Sequence, residues 1–352
     1  MQNIKKNNPL VSVVIPVYNA VDFIEESIQS ILCQTLEDYE ILVICNNSND
    51  GSREKINTIS DKRIRVVDNN ENVGIPRSRN IGIVEARGKY IAWLDADDIS
   101  NPKRIEKQVE LFERDNELGL CGSYVKAFTE SFNTIWKYPV KHEEIKALMF
   151  FNNPFATSSV MIRRRILLEF QLFFNDNFIV AEDYDLWERM SHYCKMSNIP
   201  EVLACYRIHA SQVSSGSTMK SIQEGLVAEI RRRQISRLGI KPNNDELRSH
   251  SFLAEQYNLS MDDDSMHGVI NWTKELKNIN INMKIYPTKE LLDLLSVRIS
   301  RILRNNIASL KCLISVIKCD AILYRHKIPL LANCMYHMLY MKIIKNISCK
   351  NT

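Results

Sequence analysis

Tyr90-Ile-Ala-Trp-Leu-Asp95-Ala-Asp97-Asp98 is an apolar, β-prone run that stops abruptly in three carboxylates. Such a run predicts a buried strand. It places the acids at the strand's C-terminal end, where open α/β sheets collect ligands. Acids this close repel one another unless something positive joins them, and a hard divalent cation suits carboxylate oxygens. The stretch therefore predicts a metal site at a sheet edge.

Working outward, strand-like and helix-like segments alternate through the first hundred or so residues, the pattern of βαβ units and a mostly parallel sheet. Val11–Val17 reads as a first strand. Asp22-Phe-Ile-Glu25 has the spacing of a capping box and opens a helix to about Gln34. Tyr39–Cys45 reads as a second strand, followed by a helix from Ser52 to about Ile59 and a short strand at Arg63–Val67. Pro76 suits a helix's first turn and Gly88 its end. Another helix restarts at Ser100-Asn101-Pro102, and Asp98 is read as its cap in preference to a second acid behind the metal. From about 118 to 210 the pattern is mixed, with strands near Leu118–Phe128, Ser158–Ile162 and Val202–Ile208 and a helix from Glu182 to about Tyr193. Ser211–Ser217 reads as a linker, and the rest of the chain reads as helical.

The strand exits carry the candidate chemistry. Pro16-Val-Tyr18-Asn19 ends ladder pairing and presents Tyr18 at the ligand end, either to cover a nucleobase or as part of an ordinary turn. Asn46-Asn-Ser-Asn-Asp50-Gly-Ser52 crowds amides that can read a base edge, or simply make a turn. Arg79, about a turn into its helix, is placed to meet a diphosphate, to hold a neighbouring acid, or to lie on the surface.

Taken in order, Pro16-Val-Tyr-Asn19, Asn46 to Ser52, Asn72-Val-Gly74, Arg79-Asn80-Ile-Gly82 and Leu94-Asp-Ala-Asp-Asp98 resemble the family 2 glycosyltransferases, which have the GT-A fold. Weaker matches continue to about residue 215. The resemblance implies an α/β, Rossmann-like catalytic domain over 1–215, with a nucleotide-sugar half at about 1–115 and an acceptor half at about 116–215. A helical, basic region over 216–352 follows. It implies that Pro16, Tyr18, Asn19, Asn46, Arg79 and Asp95 bind the nucleotide-sugar. Asp97 would ligate Mg²⁺ or Mn²⁺, and Cys205-Tyr-Arg207-Ile-His209 is like the segment that closes the family's core, where His209 would either join that ion or be structural. Ala181-Glu182-Asp183-Tyr-Asp185-Leu-Trp187 is similar to the family's ED motif, which makes Asp183 the base for the acceptor hydroxyl and Asp185 the fallback. Glu182 and Trp187 would then meet the acceptor, although acids also favour a helix's first turn and Trp187 also suits a core. Asn152 to Ser159 lies where family members shape the acceptor site. Cys45 stands where an aspartate is frequent in the family, so the identity of the base is open.

Hydrophobic content of 45% and charged content of 25% are ordinary for a soluble globular protein. Nine scattered cysteines without a CxxC pair predict reduced thiols, not a zinc site or a disulfide frame. The polar start lacks a secretory signal, and no apolar stretch reaches membrane-span length, so a cytoplasmic protein is expected. Beyond residue 296 the only acid is Asp320 among ten Lys and Arg residues. There Leu303, Ile307, Leu310, Ile314 and Ile317 form an apolar stripe, and Arg304, Lys311, Lys318 and Arg325 recur every seven residues. This pattern suits an anionic membrane surface or a packed helical subdomain. No aromatic-lined groove or reader motif accompanies it, which argues against nucleic acid.

The resemblance implies an inverting, metal-dependent transferase that moves a sugar from a nucleotide-sugar to a glycan or lipid-linked acceptor in surface polysaccharide synthesis. A non-catalytic sugar-nucleotide binder is the alternative. A nucleotidyltransferase is disfavoured because no Gly-rich basic loop follows the first strand.

Overall fold

The structure, a computed structural model, describes residues 8–212, 216–255 and 261–306. The expected positions Ile307, Leu310, Lys311, Ile314, Ile317, Lys318 and Arg325 lie outside those residues, as does Ser214 of the expected linker.

The chain divides into two compact units. One comprises Met1–Ile145 and Asn153–Val227, and the other Lys146–Asn152 and Ala228–Thr352. A short internal segment, Lys146–Asn152, thus belongs to the second unit.

In chain order the first elements are β1 (Val11–Val17), α1 (Ile24–Leu32), β2 (Tyr39–Cys45), α2 (Ser52–Asn57), β3 (Ile64–Asp68), α3 (Ile75–Glu85) and β4 (Tyr90–Trp93). Next come β5 (Ile99–Ser100), α4 (Arg104–Arg114), β6 (Leu118–Phe128), β7 (Asn133–Trp136) and α5 (His142–Met149). A 3₁₀ turn at Thr157–Ser159 leads into β8 (Met161–Arg163), α6 (Arg164–Glu169), α7 (Glu182–Met190) and β9 (Lys195–Arg207). Four further helices follow: α8 (Ser217–Arg237), α9 (Asn244–Ala254), α10 (Asp263–Met283) and α11 (Thr288–Asn306).

Among the described residues the strands form one sheet in the order β3-β2-β1-β4-β8-β6-β9-β5, with β7 also on β6. The first four are parallel, as the alternating pattern predicts. β8 then runs antiparallel to both β4 and β6, so the rest of the sheet is mixed. β1, β2 and β4 are covered on both faces, which is why their sequences are nearly continuous apolar runs. Each fully buried Val, Leu or Ile there contributes about 1.5–3 kcal/mol of transfer free energy.

Two local expectations are corrected. The Asp22/Glu25 capping box does not form, and no side chain of its own turn caps α1. The chain entering the helix is instead held from the next loop, where Ala20 N donates to Ser52 Oγ (2.8 Å) and Val21 N to Asp50 Oδ2 (2.9 Å). Pro16 does not end pairing with β2, since the ladder continues to Val17–Cys45. Its missing N–H falls on the β4 side, beyond the last bond there, Leu94 N to Val14 O.

Gly88 marks the tightest backbone approach in this sheet. A Cβ there would lie 2.5 Å from Ser12 N and 2.8 Å from Tyr90 O, both backbone atoms that cannot turn aside. Gly88→Ala is therefore expected to cost about 1–3 kcal/mol as an overpacking strain. The check is a lower urea midpoint with an unchanged slope.

In the second unit Phe150 and Phe151 are buried with Trp272, Leu276, Leu291 and Leu295. His250 stacks on Phe151 at 4.8 Å, with Nε2 3.1 Å from the Phe150 carbonyl. Burial, with nearby Arg231, pushes the His250 pKa down to about 3, so it is a neutral core residue. Among the described residues no helix is long and apolar enough to cross a membrane. The described cysteines are free thiols, as expected.

Candidate active site

β4 delivers the three carboxylates to the sheet edge, and the turn that carries them is pinned from several sides. Asp95 N donates to Ser158 Oγ (3.0 Å), and Asp98 N closes the turn on Asp95 O (3.1 Å). Ser27 Oγ, on the buried face of α1, lies 2.8 Å from Ala96 O and 2.6 Å from Asp98 O. Arg207, at the end of β9, donates its backbone N–H to Asp98 Oδ1 (2.9 Å) and Nε to Asp97 O (2.9 Å).

Asp98 is therefore not the cap of α4. It is fully buried beneath the turn, and Asn101 Oδ1 accepts from Lys103 N instead. Burial, then the charges of Asp97 and Asp95, raise its carboxyl well above the usual range.

Asp97 points to His209, whose Nε2 lies 2.9 Å from Asp97 Oδ2, while its Nδ1 lies 2.8 Å from Ser211 Oγ. Phe23 packs on the His209 ring at 4.5 Å. Burial and the neighbouring Asp95 raise the Asp97 pKa, against the pull of His209.

Arg79 is 4% exposed and joins two parts of the chain. Nη2 donates to Asp95 Oδ1 (2.8 Å) and Nη1 to Glu182 Oε1. Burial opposes its charge, but Asp95, Glu182 and Asp183 outweigh that and raise its pKa. The guanidinium is thus spent on protein carboxylates, which corrects its expected contact with the nucleotide-sugar. Glu182 is corrected in the same way: it is buried against Arg79 and is not open to an acceptor. Burial pushes its pKa up to about 7, with Arg79 pulling it down.

Asp183 lies in the first turn of α7, whose N-cap Ala181 sits in the left-handed region at φ 59°. A non-glycine residue there marks a backbone held in place by its surroundings. Asp183 Oδ2 accepts from Asn153 Nδ2 (2.9 Å) and Thr157 Oγ1 (2.8 Å), and Oδ1 from Tyr184 N (2.6 Å). The residues from Asn153 to Ser158 thus hold both Asp183 and Asp95. The fallback, Asp185, is fully buried and paired with Arg189 at 2.8 Å. Trp187 is also fully buried, with its ring 6.0 Å from Phe174, so it is core and not an acceptor platform.

Past the end of β1 Tyr18 is 48% exposed. Asn19, at φ 49°, donates its N–H to Ser48 Oγ (3.0 Å) and accepts from Asn49 N at Oδ1 (3.1 Å), so it fixes the loop that flanks Tyr18. Pro16 lies within the strand below. Asn46 is corrected as a base reader. It is buried, its Nδ2 donates to Asn72 Oδ1 (2.6 Å), and its Oδ1 accepts from Val73 N (2.9 Å) and Asn69 Nδ2 (3.2 Å). Beside it, burial and Asp68 push the Cys45 thiol up to about 12, so no charge replaces the expected aspartate.

Sequence reasoning missed Tyr138, which lies in no motif, and gave no role to Arg207 within the Cys205–His209 segment. Tyr138 is half-buried, and burial followed by the charge of Asp183 raises its hydroxyl.

A sequence profile described as Glycosyl transferase family 2 matches residues 12–170. An uncharacterized glycosyltransferase of Haemophilus influenzae is 40% identical over 222 residues, 60% of this chain and 69% of that protein. The Escherichia coli UDP-Glc:alpha-D-GlcNAc-diphosphoundecaprenol beta-1,3-glucosyltransferase WfgD is 32% identical over 208 residues, 58% of this chain and 80% of that one. Among solved structures, S. aureus TarS 1–349 in complex with UDP-GlcNAc superposes with a TM-score of 0.55 at 13% identity, over 85% of this chain and 93% of that one. That likeness is of fold.

Proposed function

Because the chain belongs to glycosyl transferase family 2, we propose that it is an inverting, metal-dependent transferase. It moves a sugar from a nucleotide-sugar to a hydroxyl of a glycan or lipid-linked acceptor during cell-surface polysaccharide synthesis. The observation that carries this reading is convergence. Arg79 is bonded to both Asp95 and Glu182, and Thr157 and Ser158 hold Asp183 and Asp95 from one turn. The relatives extend it, since WfgD is described as using UDP-Glc and a diphosphoundecaprenol-linked sugar.

The residues at Asp97 fit a hard divalent ion. A carboxylate oxygen and an imidazole nitrogen lie side by side, and the crowding of Asp95 on Asp97 is a charge imbalance a cation relieves. Among the described residues no three acid, His or Cys side chains surround one point, so donor phosphates would complete the shell. Mg²⁺ or Mn²⁺ held by Asp97 and His209 would stabilise the charge of the leaving diphosphate.

The remaining work falls to the chain. Tyr18 covers the base, and Asp95, fixed by Arg79, orients the ribose. Asp183 removes the acceptor's proton during attack. Its Oδ2 already accepts two hydrogen bonds and Oδ1 only one, so Oδ1 takes the proton. One base and one displacement invert the anomeric carbon. The basic positions from Lys311 onward would draw the protein to the anionic cytoplasmic face of the membrane.

A thermal-shift panel of UDP-, GDP-, CDP- and dTDP-sugars, each with and without Mn²⁺, tests the reading. Ligands that bind the folded state raise its melting temperature by mass action. One donor is expected to raise Tm, and Mn²⁺ to increase that shift in the wild type but not in Asp97→Ala. No shift with any donor would overturn the proposal.

A further inference from the structure

Trp136 and Tyr206 flank β6 on opposite sides. Trp136 on β7 is registered with Val125, and Tyr206 on β9 with Ala127. Paired residues share a face of a sheet, so both rings stand on the same side. The small Ala127 lets them meet, with centroids 5.1 Å apart and planes tilted by 38°. Both rings are half-buried, whereas Trp93, Trp187 and Trp272 are at most 2% exposed.

This aromatic pair is tied to the proposed base. Tyr138 follows Trp136 by two residues and precedes Pro139. The Pro139 carbonyl accepts from Asn198 Nδ2 at 2.8 Å, and the same nitrogen lies 3.3 Å from the Pro154 carbonyl. Asn153, next to Pro154, donates to Asp183. One buried amide thus clamps the end of the aromatic strand to the loop that holds Asp183. The raised Tyr138 hydroxyl, which feels both Asp183 and Tyr206, is consistent with this placement.

We propose that Trp136 and Tyr206 form a platform on which the apolar face of a pyranose ring stacks, so that the acceptor presents a sugar ring, not a bare lipid phosphate, to Asp183. The platform rests on the transferase reading for its acceptor role. An aromatic ring offers a large, rigid apolar face of the kind that lines small-molecule sites, with few polar groups needed to orient the ligand. Trp187, the tryptophan nearest the base in sequence, is buried and leaves this role to Trp136.

Two measurements separate this inference from the transferase reading. The first is intrinsic fluorescence titrated with methyl glycosides of glucose, galactose and N-acetylglucosamine. Trp136 is the tryptophan that solvent reaches among the four. A saturable change is expected with at least one glycoside, retained in Asp183→Asn and lost in Trp136→Phe. No change with any of the three overturns the platform, whatever the enzyme does. The second is nucleoside diphosphate release with the donor found by the thermal-shift panel. Trp136→Ala is expected to raise the KM of a binding glycoside about ten-fold, the loss of one stacked face. Release to water and the donor KM stay unchanged, and Trp136→Phe restores most of the acceptor affinity. An unchanged acceptor KM, or an equal fall in release to water, overturns the platform. Absence of release in the wild type overturns the transferase reading and leaves the fluorescence result to decide the platform.

Discussion

Asp183→Asn is expected to lower kcat by about 10²–10⁴-fold, the contribution of a positioned general base, with donor affinity unchanged. A hydroxyl is a poor nucleophile, and the transition state needs a carboxylate within reach of its proton. The amide keeps the shape of the side chain but cannot take that proton. The substitution also disturbs its surroundings in a defined way. Both oxygens of Asp183 accept from fixed donors, Asn153 and Thr157 on one and the Tyr184 N–H on the other. An amide nitrogen in either position faces a donor, a mismatch worth about 1–3 kcal/mol. Some loss of Tm is therefore expected alongside the loss of turnover. The decisive comparison is at a temperature where both proteins are folded, with the Mn²⁺-dependent donor shift as proof that the donor site is intact. A kcat within a few-fold of the wild type under those conditions would remove Asp183 from the reaction.

The fold was legible where local physics decides it. β1, β2 and β4 are buried on both faces, so their apolar runs show as strands. Ile24, Ile28 and Ile31 are one buried face of α1, so their spacing shows as helix. Legibility failed where a contact spans distant parts of the chain. The α1 entrance looked self-capped by Asp22 and Glu25, but the bonds come from Asp50 and Ser52. The Asp98 carboxylate was available to α4 in sequence, but Arg207, 109 positions later, takes it. Short elements left no period to read, as in the four residues of β7 and the two of β5.

The candidate site shows the same division. Acids at a strand's end and at a helix's first turn are visible in sequence, and the structure brings them together. Which polar groups remain free for a ligand is not visible. Asn46 is spent on the 69–73 loop, and Arg79 and Glu182 on each other, which is a property of partners 16 to 103 residues away. The tryptophans invert for a related reason. Trp187 lies beside the motif but on the core face of α7, whereas Trp136 lies in no motif and on an edge strand.

Arg79→Met is the most severe stability change expected in the first unit. It deletes the cation that Asp95 and Glu182 share, and breaking a buried pair by removing one partner costs about 3–5 kcal/mol. The two acids do not suffer equally. The Asp95 side chain is 31% exposed and can regain water, whereas that of Glu182 is 9% exposed and cannot. Glu182 must therefore take up a proton, and it is already poised to do so, since burial pushes it to about 7 from a free value of 4.5. The sign of the pH effect follows. Between the unfolded and the folded pKa the native state binds more protons than the unfolded state, so stability falls as pH rises through that window. The stability linked to Glu182 is fully present below about pH 4.5 and is lost as pH rises through about 7. Without Arg79 the folded pKa moves higher, so the loss extends to higher pH. Arg79→Met is thus expected to be mildest near the lower end of the window and worst above its upper end. Glu182→Gln in the same chain removes the buried charge, recovers part of the loss and flattens its pH dependence. Urea unfolding of the wild type, the single and the double variant at both ends of the window measures all three effects. A single variant that loses less than about 1 kcal/mol at both ends, the value of an exposed pair, would show that Arg79 is not the buried hinge between the two acidic segments.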